Sequence, residues 1–154
     1  MFELMVAAKL LLMAPDSGVG VDRAKIEARF GRPDSVGTDF RPHAAGGPPD
    51  RVVTLSWPQL LIRMYVHPAT NSVSLLGVTT TSDVVKTGSA VHIGVDRGTV
   101  LRELGGPAFE DENQIVYSME QDDPDLAGQT VRIALRDDRV VGFDWTYPLV
   151  NTGH

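Results

Sequence analysis

Residues 20–33 read GVDRAKIEARFGRP, and residues 94–107 read GVDRGTVLRELGGP, 74 positions later in a chain of 154 residues. Six of the fourteen positions are identical in the two stretches. A spaced self-match of this kind is typical of a duplicated supersecondary unit. We therefore predict two tandem repeat units, at 1–81 and 82–154.

Each copy carries the residues that start and stop a helix. An aspartate at the N-cap position accepts hydrogen bonds from the first backbone N–H groups. A glycine then closes the helix in the left-handed conformation, and a proline two residues later prevents its continuation. These six residues form the structural repeat motif: Asp22, Gly31 and Pro33 in the first copy, and Asp96, Gly105 and Pro107 in the second. Ile26 with Phe30, and Val100 with Leu104, are four residues apart and predict one buried helix face in each copy.

Alternating apolar residues after each helix predict an antiparallel meander of three or four strands. The alternating stretches are 53–57, 60–66 and 73–81 in the first copy, and 131–135 and 141–147 in the second. Asp137-Asp138 forms a tight link between the last two. LLGV at 75–78 also lines up with VVGF at 140–143, so the strands are expected to correspond as the helices do.

A second helix is expected upstream of each capped one. Residues 2–13 (FELMVAAKLLLM) are strong helix formers, and residues 82–86 (SDVVK) start with a capping serine. The first charge in 2–13 is Glu3, and Lys9 interrupts the apolar run, which is the wrong charge order for a signal peptide. The predicted fold class is α+β, with two tandem helix–helix–antiparallel meander units and the helices packed on one sheet face. The two copies pack together or form one continuous sheet.

Composition and charge exclude several classes of function. The chain has no cysteine, which excludes disulfides, thiolate metal sites, thiol nucleophiles and an acylated cysteine. Its net charge of −6 is uneven: residues 1–77 carry eight basic and seven acidic residues, and residues 78–154 carry six and thirteen. An acidic chain disfavours non-specific nucleic-acid binding, and no stretch approaches a membrane span. The acidic half is expected to be a solvated face or to attract a basic protein surface.

Motifs for catalysis or metal binding are weak. There is no G-x-S-x-G sequence, and the four histidines are scattered. The acidic clusters at 110–112 and 122–125 lack the EF-hand pattern, so no metal and no cofactor is predicted. A hydrolase is a minor alternative, which would need His43 or His67 within hydrogen-bond reach of a carboxylate and a hydroxyl.

The aromatic residues on the predicted strands have two interpretations. They fill the core, where large apolar groups normally lie, or they are exposed anchors for a protein partner, since Trp and Tyr dominate binding hot spots. The core is favoured for Phe143 and Trp145, whereas Tyr147 lies near a strand end and is the better surface candidate. The candidate partner-binding aromatics are Trp57, Tyr65, Tyr117, Trp145 and Tyr147.

The tandem unit, with the closing stretch VRIALRDDRVVGFDWTYPLV at 131–150, resembles the β-lactamase inhibitory proteins. A single unit resembles the outer-membrane assembly lipoproteins of the SmpA/BamE type. The resemblance implies two tandem helix–sheet units, a concave sheet surface that docks on another protein, and a periplasmic or secreted location. It also implies that Asp50, which follows the HAAG sequence at 43–46, is equivalent to the inhibitor aspartate that enters an enzyme's active site. The chain departs from both families in lacking cysteine.

The predicted function is therefore a non-enzymatic protein–protein interaction module whose partner is an unidentified protein. The alternative is a small-ligand-binding protein with a pocket between the two sheets or beneath the loop at 41–50, lined by apolar groups with a few convergent polar ones.

Overall fold

The computed structural model of the chain describes residues 23–42, 47–68, 73–85, 87, 89–118 and 129–147. The predicted helix at 2–13, the N-cap at Asp22 and the acidic loop at 120–128 lie outside this part of the chain. The loop at 41–50 is described only at its two ends.

Two helices are described, α1 (Arg23–Phe30) and α2 (Arg97–Leu104). The Asp96 carboxylate caps α2 by accepting a 2.8 Å hydrogen bond from the Thr99 N–H, and its hydrogen bonds with Thr99 lower the pKa of the carboxyl. Gly31 and Gly105 close the two helices with φ angles of 84° and 79°. Each glycine N–H donates to the carbonyl four residues back, at 2.8 and 2.9 Å. The predicted stops are confirmed for both helices, and the predicted cap is confirmed for α2.

In the described part of the chain, four strands follow each helix. The first group is β1 (Ser35–Arg41), β2 (Asp50–Trp57), β3 (Leu60–Val66) and β4 (Val73–Thr80). The second group is β5 (Phe109–Asp111), β6 (Gln114–Ser118), β7 (Thr130–Arg136) and β8 (Arg139–Thr146). The alternating stretches predicted as strands correspond to β2, β3, β4, β7 and β8. The Asp137-Asp138 link has φ angles of 52° and 60°, as a type I′ hairpin turn requires.

The eight strands form one antiparallel sheet in the order β1-β2-β3-β4-β8-β7-β6-β5. Each group is a meander, and the two meanders meet where β4 pairs with β8. Val78 lies opposite Trp145 and Thr79 lies opposite Asp144 at this junction. The order therefore places β1 and β5, the first strands of the two meanders, at the two outer edges.

One face of the sheet carries the core. Its largest fully buried side chains include Trp145, Tyr117, Leu55, Ile62, Ile115 and Ile133. Ile26 from α1, and Val100 and Leu104 from α2, are buried against them. The opposite face carries polar contacts, among them the bond from the Thr79 hydroxyl to Asp144 Oδ1 at 3.0 Å. Antiparallel sheets commonly have one buried and one solvated face.

The predicted fold class is wrong. One eight-stranded antiparallel sheet dominates the described chain, and it is flanked by two short helices instead of a helix-rich layer. A helix of eight residues is about 12 Å long, whereas eight strands spaced about 4.8 Å apart span roughly 34 Å. Two such helices cannot form a layer over the sheet, so strand pairing and strand-face burial dominate the architecture.

The predicted helix at 82–86 is also wrong, because residues 82–85 form turns and bends. The Ser82 hydroxyl accepts a hydrogen bond from the Val84 N–H at 3.2 Å, and the Ser82 N–H donates to the Thr80 hydroxyl at 3.2 Å. Hydroxyls that bind nearby backbone groups compete with helix formation. Two adjacent valines, with side chains that are stiff at χ1, weaken it further.

Glycine permits the close approach of strands at the β4–β8 junction. A Cβ atom at Gly77 would lie 3.0 Å from the Trp145 carbonyl oxygen, and one at Gly142 would lie 3.1 Å from the Thr80 carbonyl oxygen. The two glycines aligned from the sequence thus make the same contact with each other's strands. The duplication and its boundaries at 1–81 and 82–154 stay predictions.

Candidate protein-binding site

Three of the predicted anchors lie in the core or against it. Trp145 and Tyr117 have no exposed surface, and the Phe143 and Trp145 rings stack with centroids 5.5 Å apart. The core interpretation of Phe143 and Trp145 is confirmed. Tyr147 is partly buried against the core, and burial raises the pKa of its hydroxyl. Trp145 and Tyr117 are therefore not exposed anchors, whereas Tyr147, like Trp57, is only partly buried.

Trp57 and Tyr117 share a structural role that the sequence alone does not predict. The Tyr117 hydroxyl donates to the Gly105 carbonyl at 2.9 Å, and the Trp57 indole N–H donates to the Gly31 carbonyl at 3.1 Å. Each aromatic residue lies on the second strand of its meander and holds the glycine that closes the preceding helix. The carbonyls at helix C-termini lack intrahelical partners, so these bonds satisfy groups that the helices leave open.

The two helix–meander groups differ in how deeply this region is buried. Tyr117 is fully buried and Leu104 is 3% exposed, whereas Trp57 and Phe30 at the corresponding positions are only partly buried. The Phe30 and Trp57 rings meet edge to face, with centroids 5.9 Å apart. The end of α1 and the end of β2 therefore present two aromatic rings that are partly exposed, whereas the corresponding side chains of α2 and β6 are buried.

These rings line a groove of about 240 Å³, called here the Trp57 groove. It lies between α1, the β2–β3 turn and the loop after β4, and its lining residues are Phe30, Trp57, Pro58, Gln59, Leu60, Ser82 and Val84. Among these described lining residues there is no acid, no base and no histidine. The groove can hold an apolar group, but its lining offers no side chain that exchanges a proton at neutral pH.

One basic side chain, Arg29, lies at the rim of the Trp57 groove. The Arg29 guanidinium lies 5.1 Å from the centroid of the Phe30 ring, a cation–π distance. It also donates to the Val84 carbonyl at 3.4 Å, which connects α1 to the loop after β4. Residues 23–32 carry four basic side chains and one acidic side chain. Val84 itself is 44% exposed and forms the apolar part of the rim.

Asp50 and Tyr65 lie on the opposite face of the sheet from the core. Asp50 begins β2 opposite Arg41, and its hydrogen bond with the Tyr65 hydroxyl raises the pKa of that tyrosine. The Tyr65 ring meets His67 edge to face at 6.2 Å. The six predicted partner-binding residues therefore divide between the core, the Trp57 groove and the face of the sheet opposite the core. They do not form one site.

Two carboxylates of the acidic cluster at 110–112 are bound by neighbouring groups of the chain. Glu110 pairs with Arg97 at 3.0 Å, and the Asp111 carboxylate accepts from the Asn113 N–H at 2.8 Å. That backbone hydrogen bond lowers the pKa of Asp111. No group of three potential metal ligands occurs among the residues that the structure describes. His43 and the cluster at 122–125 lie outside them.

The groove is not predicted from the sequence, because its walls come from three separated segments. Phe30 and Val84 are far apart in the chain and meet only after the sheet forms. A local signal does exist in Trp57-Pro58, because the proline ends the strand at the tryptophan and begins a two-residue turn. No further residues of the same strand then cover the tryptophan ring.

Comparison of the chain with protein-family models, with curated proteins and with solved structures found no match. The resemblance to the β-lactamase inhibitory proteins and to the SmpA/BamE-type lipoproteins stays a prediction. In the described part of the chain, neither helix has the length and apolar character to cross a membrane.

Proposed function

We propose that this chain is a non-enzymatic protein-interaction module that binds an apolar side chain of an acidic partner segment in the Trp57 groove. The observation that carries the proposal is the partial exposure of Phe30 and Trp57, where the corresponding Leu104 and Tyr117 are buried. A large apolar side chain is normally buried in a core. The partial exposure of such side chains at one of two equivalent positions indicates a surface that binds another group.

The geometry suits a protein side chain better than a free small molecule. Small-molecule pockets usually enclose about 300 to 1,000 Å³, whereas the Trp57 groove encloses about 240 Å³. Trp57 is held by its bond to Gly31 and by the Phe30 ring. Binding to a tryptophan that is already ordered loses little conformational entropy. The alternative pocket between two sheets has no counterpart in the described residues, because their strands form a single sheet.

The charge around the groove selects the chemistry of the partner. The excess of basic side chains at 23–32 and the position of Arg29 over Phe30 favour carboxylates that flank the apolar anchor. Charges at the rim of an interface act mainly on the association rate and on specificity. We therefore expect a partner segment with one aromatic or aliphatic anchor next to Asp or Glu.

Selection of a displayed random-peptide library against the full chain tests the proposal. Recovered peptides should share an apolar anchor with acidic flanks and should quench the fluorescence of Trp57. Val84→Asp should weaken their binding at least tenfold, because it places a charge in the apolar rim. The matched control is Val36→Asp on β1, since Val36 is 45% exposed and Val84 is 44% exposed.

The control should change the Kd by less than twofold. Selection of no common sequence, or equal losses in the two valine variants, would overturn the proposal. Raising the salt concentration should slow association of the acidic peptides, because it screens the attraction to Arg29 at the rim.

A further inference from the structure

The edge strand β1 is long and uncovered. All seven of its residues, Ser35–Arg41, are exposed, whereas the other edge strand, β5, has only three residues. Proteins usually protect such edges by keeping them short, charged or covered, because their free N–H and C=O groups pair readily with another strand. β5 is protected by its shortness, whereas β1 has seven residues, of which Asp39 and Arg41 are charged.

The outward backbone groups of β1 can be assigned from the register. Successive residues of a strand direct their N–H and C=O groups to opposite sides. The bond from the Thr81 N–H to the Gln59 carbonyl directs the odd-numbered residues of β3 towards β4. Carried through the β2–β3 and β1–β2 registers, the alternation directs the backbone groups of three residues out of the sheet: Val36, Thr38 and Phe40.

The same residues carry the exposed apolar side chains of the strand. Val36 is 45% exposed and Phe40 is 59% exposed. An antiparallel pairing of β1 with a second β1, centred on Thr38, places each Val36 opposite the other copy's Phe40. Aromatic and β-branched residues paired across strands stabilise a sheet. The pairing also joins the outward groups of the two strands in about six hydrogen bonds.

This register is free of conflicts that other symmetric registers create. It places Asp39 opposite Gly37 and Arg41 opposite Ser35, so no like charges face each other. Centring on Asp39 would place two aspartates directly opposite, which is destabilising. Centring on Phe40 would bring Pro42 into the ladder, where it has no N–H to donate.

The charge distribution of the chain does not oppose a second copy at this edge. Residues 78–154 carry the net negative charge, and their strands lie on the side of the sheet away from β1. Strands spaced about 4.8 Å apart put the outer strands of the acidic half well beyond the Debye length of about 8 Å at physiological salt. Repulsion between the acidic halves is therefore screened.

We propose that two copies of this chain associate through β1, in the register centred on Thr38, into one continuous antiparallel sheet with two-fold symmetry. The inference is independent of the Trp57 groove. The interface uses β1 alone, and α1 with the Trp57 groove stays available to a partner in each copy.

Sedimentation velocity of the full chain over a range of concentrations tests this proposal. The wild type should show a monomer–dimer equilibrium. Thr38→Pro should weaken dimerisation at least tenfold while the sheet is kept, because the lost N–H points away from β2 and proline is tolerated on that side of an edge strand. Val84→Asp is the matched control and should dimerise as the wild type does.

If Thr38→Pro alters the circular dichroism spectrum, Phe40→Asp provides a second variant, because it changes only an exposed side chain. A wild type that stays monomeric at all concentrations would overturn the proposal. So would dimerisation unchanged in both β1 variants, or growth into filaments, which indicates head-to-tail pairing of β1 with β5. Peptide binding at the Trp57 groove is measured separately, so failure of one proposal is distinguishable from failure of the other.

Discussion

Replacing Tyr117 with phenylalanine removes one oxygen atom and leaves a buried ring of the same shape. The lost hydroxyl donates to the Gly105 carbonyl at 2.9 Å. A net hydrogen bond of this kind contributes about 1–1.5 kcal/mol to the free energy of unfolding. For a chain of 154 residues this corresponds to a fall in Tm of roughly 2–6 °C. Urea unfolding followed by circular dichroism at 222 nm measures the change directly.

The matched control is Tyr147→Phe, the same chemical change at another ring that packs against the core. Burial raises the pKa of the Tyr147 hydroxyl. Tyr147 does not lie on the strands that follow a helix-closing glycine in the way that Tyr117 does. We expect the control to change the free energy of unfolding by less than about 0.5 kcal/mol. Equal effects of the two substitutions would refute the assignment of Tyr117 as the residue that holds the end of α2.

Two further predictions concern the helix cap and the strand junction. Asp96 has a pKa lowered in the folded state by its bonds with Thr99. Its contribution is therefore complete above its unfolded pKa of about 3.9 and is lost as the pH falls through the folded value. Asp96→Ala should lower the urea midpoint at pH 7 and match the wild type near pH 2; a difference that persists in acid would contradict this. Gly142→Ala should lower the free energy of unfolding by about 1–3 kcal/mol, because the added Cβ crowds the Thr80 carbonyl. The control Gly37→Ala, with no atom within 4 Å of the added Cβ, should be nearly neutral in the same urea assay. Similar losses of stability in the two variants would contradict the junction geometry.

Local chemistry explains what the sequence predicted correctly. A capping aspartate and a closing glycine act within one or two helical turns, so Asp96 and Gly105 could be assigned without tertiary structure. Period-2 alternation likewise reports which residues of a strand share a face. It identified β2, β3, β4, β7 and β8, whose inward residues are buried or partly buried.

Tertiary structure decides what the sequence did not predict. The alternation of Val36, Thr38 and Phe40 in β1 indicates no buried face, because every residue of that strand is exposed. The helix expected at 82–86 fails because hydroxyl groups bind the local backbone, as the contact of Ser82 with Thr80 shows. Local propensity alone does not weigh that competition.

The Trp57 groove depends on tertiary structure more strongly still. Trp57 and Tyr117 occupy equivalent places and bind equivalent carbonyls, yet only Tyr117 is fully buried. The difference comes from neighbours that are distant in sequence. The sequence therefore identified an aromatic candidate at Trp57 without indicating which of the five aromatic candidates would be accessible.

The continuity of the sheet across β4 and β8 underlies both the fold and the assignment of β1 as an edge. A disulfide between Thr79→Cys and Asp144→Cys tests it directly, since the natural chain has no cysteine. The two side chains already meet at 3.0 Å, and directly opposed residues in a pair that is not hydrogen-bonded have Cα atoms about 4.5 Å apart, within disulfide range. Mass spectrometry of the oxidised, dilute protein should show complete intramolecular cross-linking, and far less for the diagonal pair Thr79→Cys with Thr146→Cys. Free thiols that persist at 79 and 144, or equal cross-linking of the diagonal pair, would contradict a single sheet joined in this register.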